Sequence, residues 1–216
     1  MDDHVATKIE DFFADYPTKH FVDRHVLIQA GDEPPGIFHL LNGQVRKYDI
    51  SDRGTEVVVN VYQSPAFFPM SWAVNSIPNQ YFYEASGPVE AKLAPSDEVV
   101  SFLKANPEVM YDLLRRLYYG IEGQQRRMAH LMGGTSESRV LFELILECKR
   151  FGRQRPGGAI ELNLHEEELA RRSGLSRETV SRELSKLREK KWLTVGHKQL
   201  IVRNLSSLER ELGEDL

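Results

Sequence analysis

The chain has 216 residues, 41% of them hydrophobic, a single cysteine and a formal net charge of −4. That length and apolar content suit one large or, better, two small packed domains, and one cysteine excludes an internal disulfide. No run of about 18 apolar residues occurs and the N-terminus has neither a basic start nor an apolar core, so a membrane span and a secretory signal are excluded and a cytoplasmic protein is expected.

The opening segment, Val5 to Tyr16, carries Ile9, Phe12 and Phe13 at helical spacing and predicts a lid helix. From about Phe21 to Ala94 short β-rich runs follow at close intervals: Val26 to Ile28, Gly36 to Leu41, Gln44 to Tyr48, Glu56 to Tyr62, Tyr81 to Ala85 and Val89 to Leu93. Turn chemistry at Gly31-Asp32, Asn42-Gly43 and Asp52-Arg53-Gly54 separates them, which argues for a sandwich or jelly roll. Aromatic residues crowd the second half of this region. They suggest either a pocket, for which Phe68, Met70, Trp72, Tyr81 and Tyr83 with Gln124 are the candidates, or a filled core, which is favoured. A jelly roll with histidines could be a metal-dependent enzyme, but His39 stands alone between Phe38 and Leu40 and no H-x-H, Ser/His/Asp set or glycine-rich phosphate loop occurs. Neither a catalytic nor a metal site is expected.

Met110, Leu114, Leu117, Ile121, Gln124, Met128 and Leu131 alternate steps of four and three, the heptad seam of a coiled coil, and such a seam needs a partner. Gln124, its polar member, would pair with its own copy across a two-fold axis and fix register. Gly120 and Gly123 within this helix each cost about 1 kcal/mol against alanine, so they mark a close approach, a flexing point or a site of signalling. After a hinge at Gly133-Gly134, Thr135 or Ser136 caps a helix running to about Arg150. Cys148 falls in its apolar pattern with Val140, Leu141, Leu144 and Ile145, so the thiol is read as core. Gln154 to Gly158 reads as an exposed loop.

The stretch Glu166 to Lys190 spells two short helices joined by a glycine turn. The first, about Glu166 to Arg172, begins with carboxylates where the macrodipole favours them and buries Leu169 and Ala170. Ser173-Gly174 stops it, Leu175 plugs the angle, and Ser176 caps the second helix. Val180, Leu184 and Leu187 take its inner face, leaving Arg177, Glu178, Ser181, Arg182 and Ser185 outside. Arginine can be bidentate to guanine, glutamate can accept from the cytosine amine and serine can do either, so Arg177, Glu178, Ser181 and Arg182 are the candidates for reading DNA bases. Two β-rich runs, Trp192 to Val195 and Gln199 to Val202, then close a hairpin around Gly196-His197-Lys198, giving a winged helix-turn-helix. Ser176, Thr179, Lys186, Lys190 and Lys198, with Lys191, are placed to meet phosphates.

The charge fits once it is divided. Up to Gly133 there are 12 basic and 18 acidic residues, and beyond it 16 basic and 14 acidic, so the acidity belongs to the first part. Arg177 to Lys191 holds six basic and three acidic residues, a local attraction for phosphate that should weaken as salt rises.

S-R-E-T-V-S-R, Ser176 to Arg182, resembles the recognition helix of the Crp/Fnr family, the bacterial cyclic-AMP receptor protein and fumarate-nitrate regulator, and the likeness extends over nearly the whole chain. It implies an α+β protein with a cyclic-nucleotide-binding-like β-roll at 1–105, a dimerisation helix at 106–132 and a winged helix-turn-helix at 133–216. In the family the position matching Arg177 reads a guanine in the cyclic-AMP receptor type, those matching Glu178 and Arg182 read the shared T-G-A core, and a serine matching Ser181 is typical of the fumarate-nitrate type. The resemblance thus implies a homodimeric transcription regulator on an inverted repeat with TGA-containing half-sites, about 34–36 Å apart, whose Gln154 to Gly158 loop could touch RNA polymerase. Members that bind cyclic AMP carry a glycine-glutamate and an arginine-serine pair between two strands. Here Phe67 to Glu84 contains no arginine, and burying a cyclic phosphate without a cation is costly, so cyclic AMP is not expected. One cysteine cannot hold the family's iron–sulfur cluster. Haem through His20, His25, His39 or Met70 is not favoured, because a lone histidine on a strand is usually structural. The other class of reading is a winged helix that contacts protein and not DNA, against which the base-capable set speaks.

Overall fold

The computed structural model describes residues 2–52, 54, 56–196 and 199–213. They form two compact units, Met1–Leu117 and Tyr118–Leu216.

In the first unit α1 (Asp3–Phe13) starts at Asp2, whose side chain accepts from the His4 amide at 2.8 Å, and buries Val5, Ile9 and Phe13, one turn apart. It ends three residues earlier than the sequence pattern suggests. Lys92 reaches its last carbonyls, donating to those of Phe13 and Ala14 at 2.7 and 3.0 Å, a cation at the negative end of the helix.

The strands are β1 (Thr18–Phe21), β2 (Val26–Ile28), β3 (Ile37–Ile50), β4 (Glu56–Gln63), β5 (Ala66–Phe68) and β6 (Phe82–Ala94). They form one antiparallel sheet in the order β1-β6-β3-β4, with β2 also on β6 and β5 on β3. Two corrections follow. Gly36 to Leu41 and Gln44 to Tyr48 are one strand, because Asn42-Gly43 is a bulge and not a turn, with register shifts against β6 on both sides of Asn42. Gly43 has φ +87, and a Cβ there would lie 2.3 Å from the Pro88 carbonyl oxygen, so only glycine lets the strands stay paired. Tyr81 to Ala85 and Val89 to Leu93 likewise merge into β6. The sequence reading lacks β1, the short helix α2 (Met70–Asn75) and α3 (Ser96–Ala105).

Helix α4 (Pro107–Gly133) runs from the first unit into the second. It stops where Gly134 donates to the His130 carbonyl at 2.8 Å, and a Cβ on Gly134 would come within 2.5 Å of that oxygen. In the second unit Thr135 caps α5 (Ser136–Phe151), accepting from the Ser138 amide at 3.2 Å. The segment read as a loop holds β7 (Arg153–Gln154) and a single 3-10 turn over Pro156–Gly158, closing a hairpin onto β8 (Ile160–Leu162). Then come α6 (Glu166–Ser173), α7 (Arg177–Glu189), β9 (Leu193–Val195), β10 (Leu200–Val202) and α8 (Leu205–Leu212). The wing is therefore two strands of a four-stranded sheet, β7-β8-β10-β9. One cluster fills this unit: α5 supplies Val140, Leu141, Leu144, Ile145 and Cys148, α7 supplies Val180, Leu184 and Leu187, and the sheet supplies Ile160, Leu193 and Val202. Burial there pushes the Cys148 thiol up to about 12, so at neutral pH it is a protonated core residue.

Candidate nucleic-acid interface

The outer face of α7 is set by the turn before it. Gly174 takes φ +63 at the end of α6 and donates to Ala170, and Leu175 donates to the same carbonyl at 3.0 Å, which turns the chain sharply. Ser173 is buried with its hydroxyl donating to Leu169 at 2.6 Å. Ser176 accepts from the Thr179 amide at 3.2 Å and starts α7. Val180, Leu184 and Leu187 are at most 2% exposed, and burial of this inner face fixes the rotation of the helix.

The candidate base-reading residues are brought onto one face. Arg177 has its side chain 75% exposed and only a long approach, 3.9 Å, to Glu166. Glu178 and Arg182 are exposed and Ser181 is half-buried. Glu178, Ser181, Arg182, Ser185, Lys186 and Glu189 line a shallow open hollow along the helix. Ser185 spends its hydroxyl on the Ser181 carbonyl at 2.9 Å, a bond within the helix.

The phosphate candidates separate. Ser176 and Thr179 sit at the helix start, where amides and macrodipole favour an anion. Lys186 is exposed and pairs with Glu183 at 2.7 Å, a hydrogen bond that raises its pKa. Lys190 pairs with Glu211 of α8 at 2.6 Å and lies 4.6 Å above the Trp192 ring, so it is engaged inside its own unit. Lys191 is exposed and takes φ +60 where the helix ends. Lys198 and His197 lie outside the described residues.

Sequence reasoning missed Arg172. Its side chain is 7% exposed and pairs with Glu147 of α5 and Glu168 of α6, tying the first helix of the motif to the core. Burial raises the pKa of Glu147 against the pull of Arg172.

Along α4 the stripe Met110, Leu114, Leu117, Ile121 and Met128 is 40–58% exposed, and Gln124 is exposed with it. Leu131 is half-buried, beside the Gly174 turn. Tyr111, Tyr118, Tyr119 and Met132 are also exposed, beyond the predicted seam. Beyond the backbone of its own helix and its chain neighbours, a Cβ on Gly120 or Gly123 would meet no atom within 4 Å among the described residues.

The pocket candidates of the first unit fall into two clusters. Phe68 and Tyr83 stack at 5.5 Å, each at most 1% exposed, with Tyr81 packed against their cluster. Met70 and Trp72 pack instead on the cluster beneath α1, and Gln124 belongs to the second unit. His39 is 3% exposed between the rings of Phe13 and Phe67, at 4.7 and 5.1 Å, whereas the His20 side chain is 71% exposed beside Glu90.

A β-roll unit, a long helix and a winged helix-turn-helix with an exposed arginine-bearing face define a DNA-binding transcription regulator. Residues 18–106 match the cyclic nucleotide-binding domain and 126–211 the Crp-like helix-turn-helix domain. The chain is 30% identical over 184 residues to the global nitrogen regulator of Nostoc sp. strain PCC 7120, covering 84% of this chain and 82% of that protein. It is 24% identical over 188 residues to a CRP-like cAMP-activated global transcriptional regulator of Mycobacterium tuberculosis, covering 86% and 84%. The structure of a CRP/FNR-family transcriptional regulator from Thermus thermophilus has the same fold, with a TM-score of 0.73 and 23% identity over 92% of this chain and 99% of that one. The chain belongs to the Crp/Fnr family of transcriptional regulators. Among the described residues no helix is long and apolar enough to cross a membrane.

Proposed function

We propose that the protein acts in the cytoplasm as a homodimer that binds an inverted repeat with TGA-containing half-sites, without catalysing a reaction. The observation that carries this reading is the outer face of α7, which presents Arg177, Glu178 and Arg182 exposed and Ser181 half-buried on a helix held from beneath. The two-fold part rests on α4, whose exposed apolar stripe would pair with its own copy about Gln124. Two copies would then present two reading helices one DNA turn apart. Ser176, Lys186 and Lys191 would hold the phosphates. The exposed segment Gln154 to Gly158 would face RNA polymerase.

The roll unit would act either as a constitutive scaffold or as the sensor of an effector still to be identified. The stacked, buried Phe68 and Tyr83 favour the scaffold, and the lack of an arginine from Phe67 to Glu84 disfavours cyclic AMP; no cluster or haem is assigned.

Selection of bound duplexes from a random pool, with and without cell extract, tests the reading. The expected product is a palindrome with TGA in each half, bound by a dimer in sedimentation. A monomer, or equal affinity for every duplex, overturns it. Enrichment that needs the extract identifies an effector-dependent regulator.

A further inference from the structure

We propose that Thr179 is a positioning residue for base reading, holding the guanidinium of Arg182 in its docking pose, and not a phosphate ligand. The assignment rests on the DNA-reading function above. Arg182 Nη2 lies 3.2 Å from Thr179 Oγ1, and Thr179 Oγ1 lies 2.9 Å from Ser176 Oγ. A guanidinium has only donors, so the threonine oxygen is the acceptor whichever way the two hydroxyl protons are ordered. The serine end of the chain is itself fixed, because Ser176 Oγ accepts the Thr179 amide at 3.2 Å as the helix cap. A three-member relay, Ser176 to Thr179 to Arg182, therefore runs from the helix cap to the second turn.

The residue type suits the task. A hydroxyl here supplies the acceptor, and Thr179 Oγ1 is held by its contact with Ser176 Oγ at 2.9 Å. Arg182 is exposed and would otherwise lose its rotamer freedom only on docking; a guanidinium already tethered loses less. The tether takes one of five N–H donors and leaves enough for a two-bond contact with a guanine edge. Thr179 itself is half-buried, with its oxygen already shared between Ser176 and Arg182, which leaves it less able to serve a phosphate.

The test uses the full-length protein, its selected duplex and a random duplex of equal length. Thr179→Val keeps the branched shape and removes the acceptor; Thr179→Ser keeps the acceptor. The valine variant is expected to bind the selected duplex about tenfold more weakly, the scale of one hydrogen bond to a charged group, while its affinity for random DNA stays within about twofold. Thr179→Ser is expected to recover most of the loss. In an Arg182→Ala background Thr179→Val is expected to add nothing further. Equal loss on both duplexes, or a full loss that persists without Arg182, makes Thr179 a phosphate ligand and overturns the proposal. An unchanged affinity of a folded valine variant overturns it as well. A parent chain that selects no sequence fails earlier and sinks the DNA-reading assignment itself.

Discussion

Arg127 and Glu143 form a two-pronged ion pair, with Nε and Nη2 donating to the two carboxylate oxygens at 2.6 and 2.8 Å, and the carboxylate side chain is only 2% exposed. The fork joins the C-terminal part of α4 to α5, on which Glu147, one turn later, holds Arg172 of α6. Removing the arginine alone strands a carboxylate in the core. Arg127→Met is expected to lower the unfolding free energy of the second unit by about 3–5 kcal/mol, and the double change with Glu143→Leu to recover most of it. Urea unfolding followed by circular dichroism measures both. A loss below about 1 kcal/mol for the single change would mean that water reaches the carboxylate.

His39 gives the first unit a dependence on pH. Burial, with Lys92 and Arg116 adding to it, pulls the imidazole down to about 4, from an ordinary value near 6.5. Below pH 6.5 an unfolded chain takes up a proton here, and the folded chain does so only near pH 4. This contribution to stability is therefore present at neutral pH and drains away as the pH falls through that window, by on the order of 3 kcal/mol at its lower end. His39→Leu removes the uptake. Its melting temperature is expected to fall less than the parent's between pH 7 and 4.5, and parallel curves would show that the ring is solvated.

How much of this was legible in the sequence depended on whether a residue's surroundings are local. The glycine turn, the Ser176 cap, the inner face Val180, Leu184 and Leu187 and the wing pairing all follow from neighbours within a few positions, and the structure has them. Asn42-Gly43 has the residues of a turn, and only the partner strand, with the Pro88 carbonyl against Gly43, decides that it is a bulge. Strand β1 reads T-K-H-F, with no apolar alternation, because three of its four residues are exposed; it exists through pairing with β6. Arg172 and Lys190 look like solvated charges until Glu147 and Glu211, far off in the chain, are brought beside them.

Gly120 and Gly123 lie within an otherwise regular helix, and beyond the backbone of that helix and the two chain neighbours neither has an atom within 4 Å of where a Cβ would go among the described residues. Nothing described in the chain itself requires a glycine there. Gly120→Ala and Gly123→Ala are each expected to raise helix stability by about 1 kcal/mol, visible as a higher melting temperature. A lower melting temperature that recovers on dilution to monomer would instead place a second helix against these positions.

Lys190 and Lys191 are adjacent, yet their surroundings differ. Lys190 bonds to Glu211 at 2.6 Å and covers Trp192, which fastens α8 to the end of α7. To meet a phosphate it would have to leave a carboxylate, so its net contribution to DNA binding is expected to be small. Lys191, at φ +60, is turned out of the helix and exposed. Because each phosphate neutralised adds close to one unit to the dependence of log affinity on log salt, Lys191→Gln is expected to reduce that slope by about 1 per bound copy. Lys190→Gln is expected to leave the slope unchanged and to lower the melting temperature instead. Glu211→Gln supplies the decisive comparison, since it frees the Lys190 ammonium without removing it: a steeper slope in that variant means the carboxylate had been withholding a phosphate contact. An identical loss of slope in Lys190→Gln and Lys191→Gln would show that DNA outcompetes Glu211, and the ion pair would then belong to the unbound protein alone.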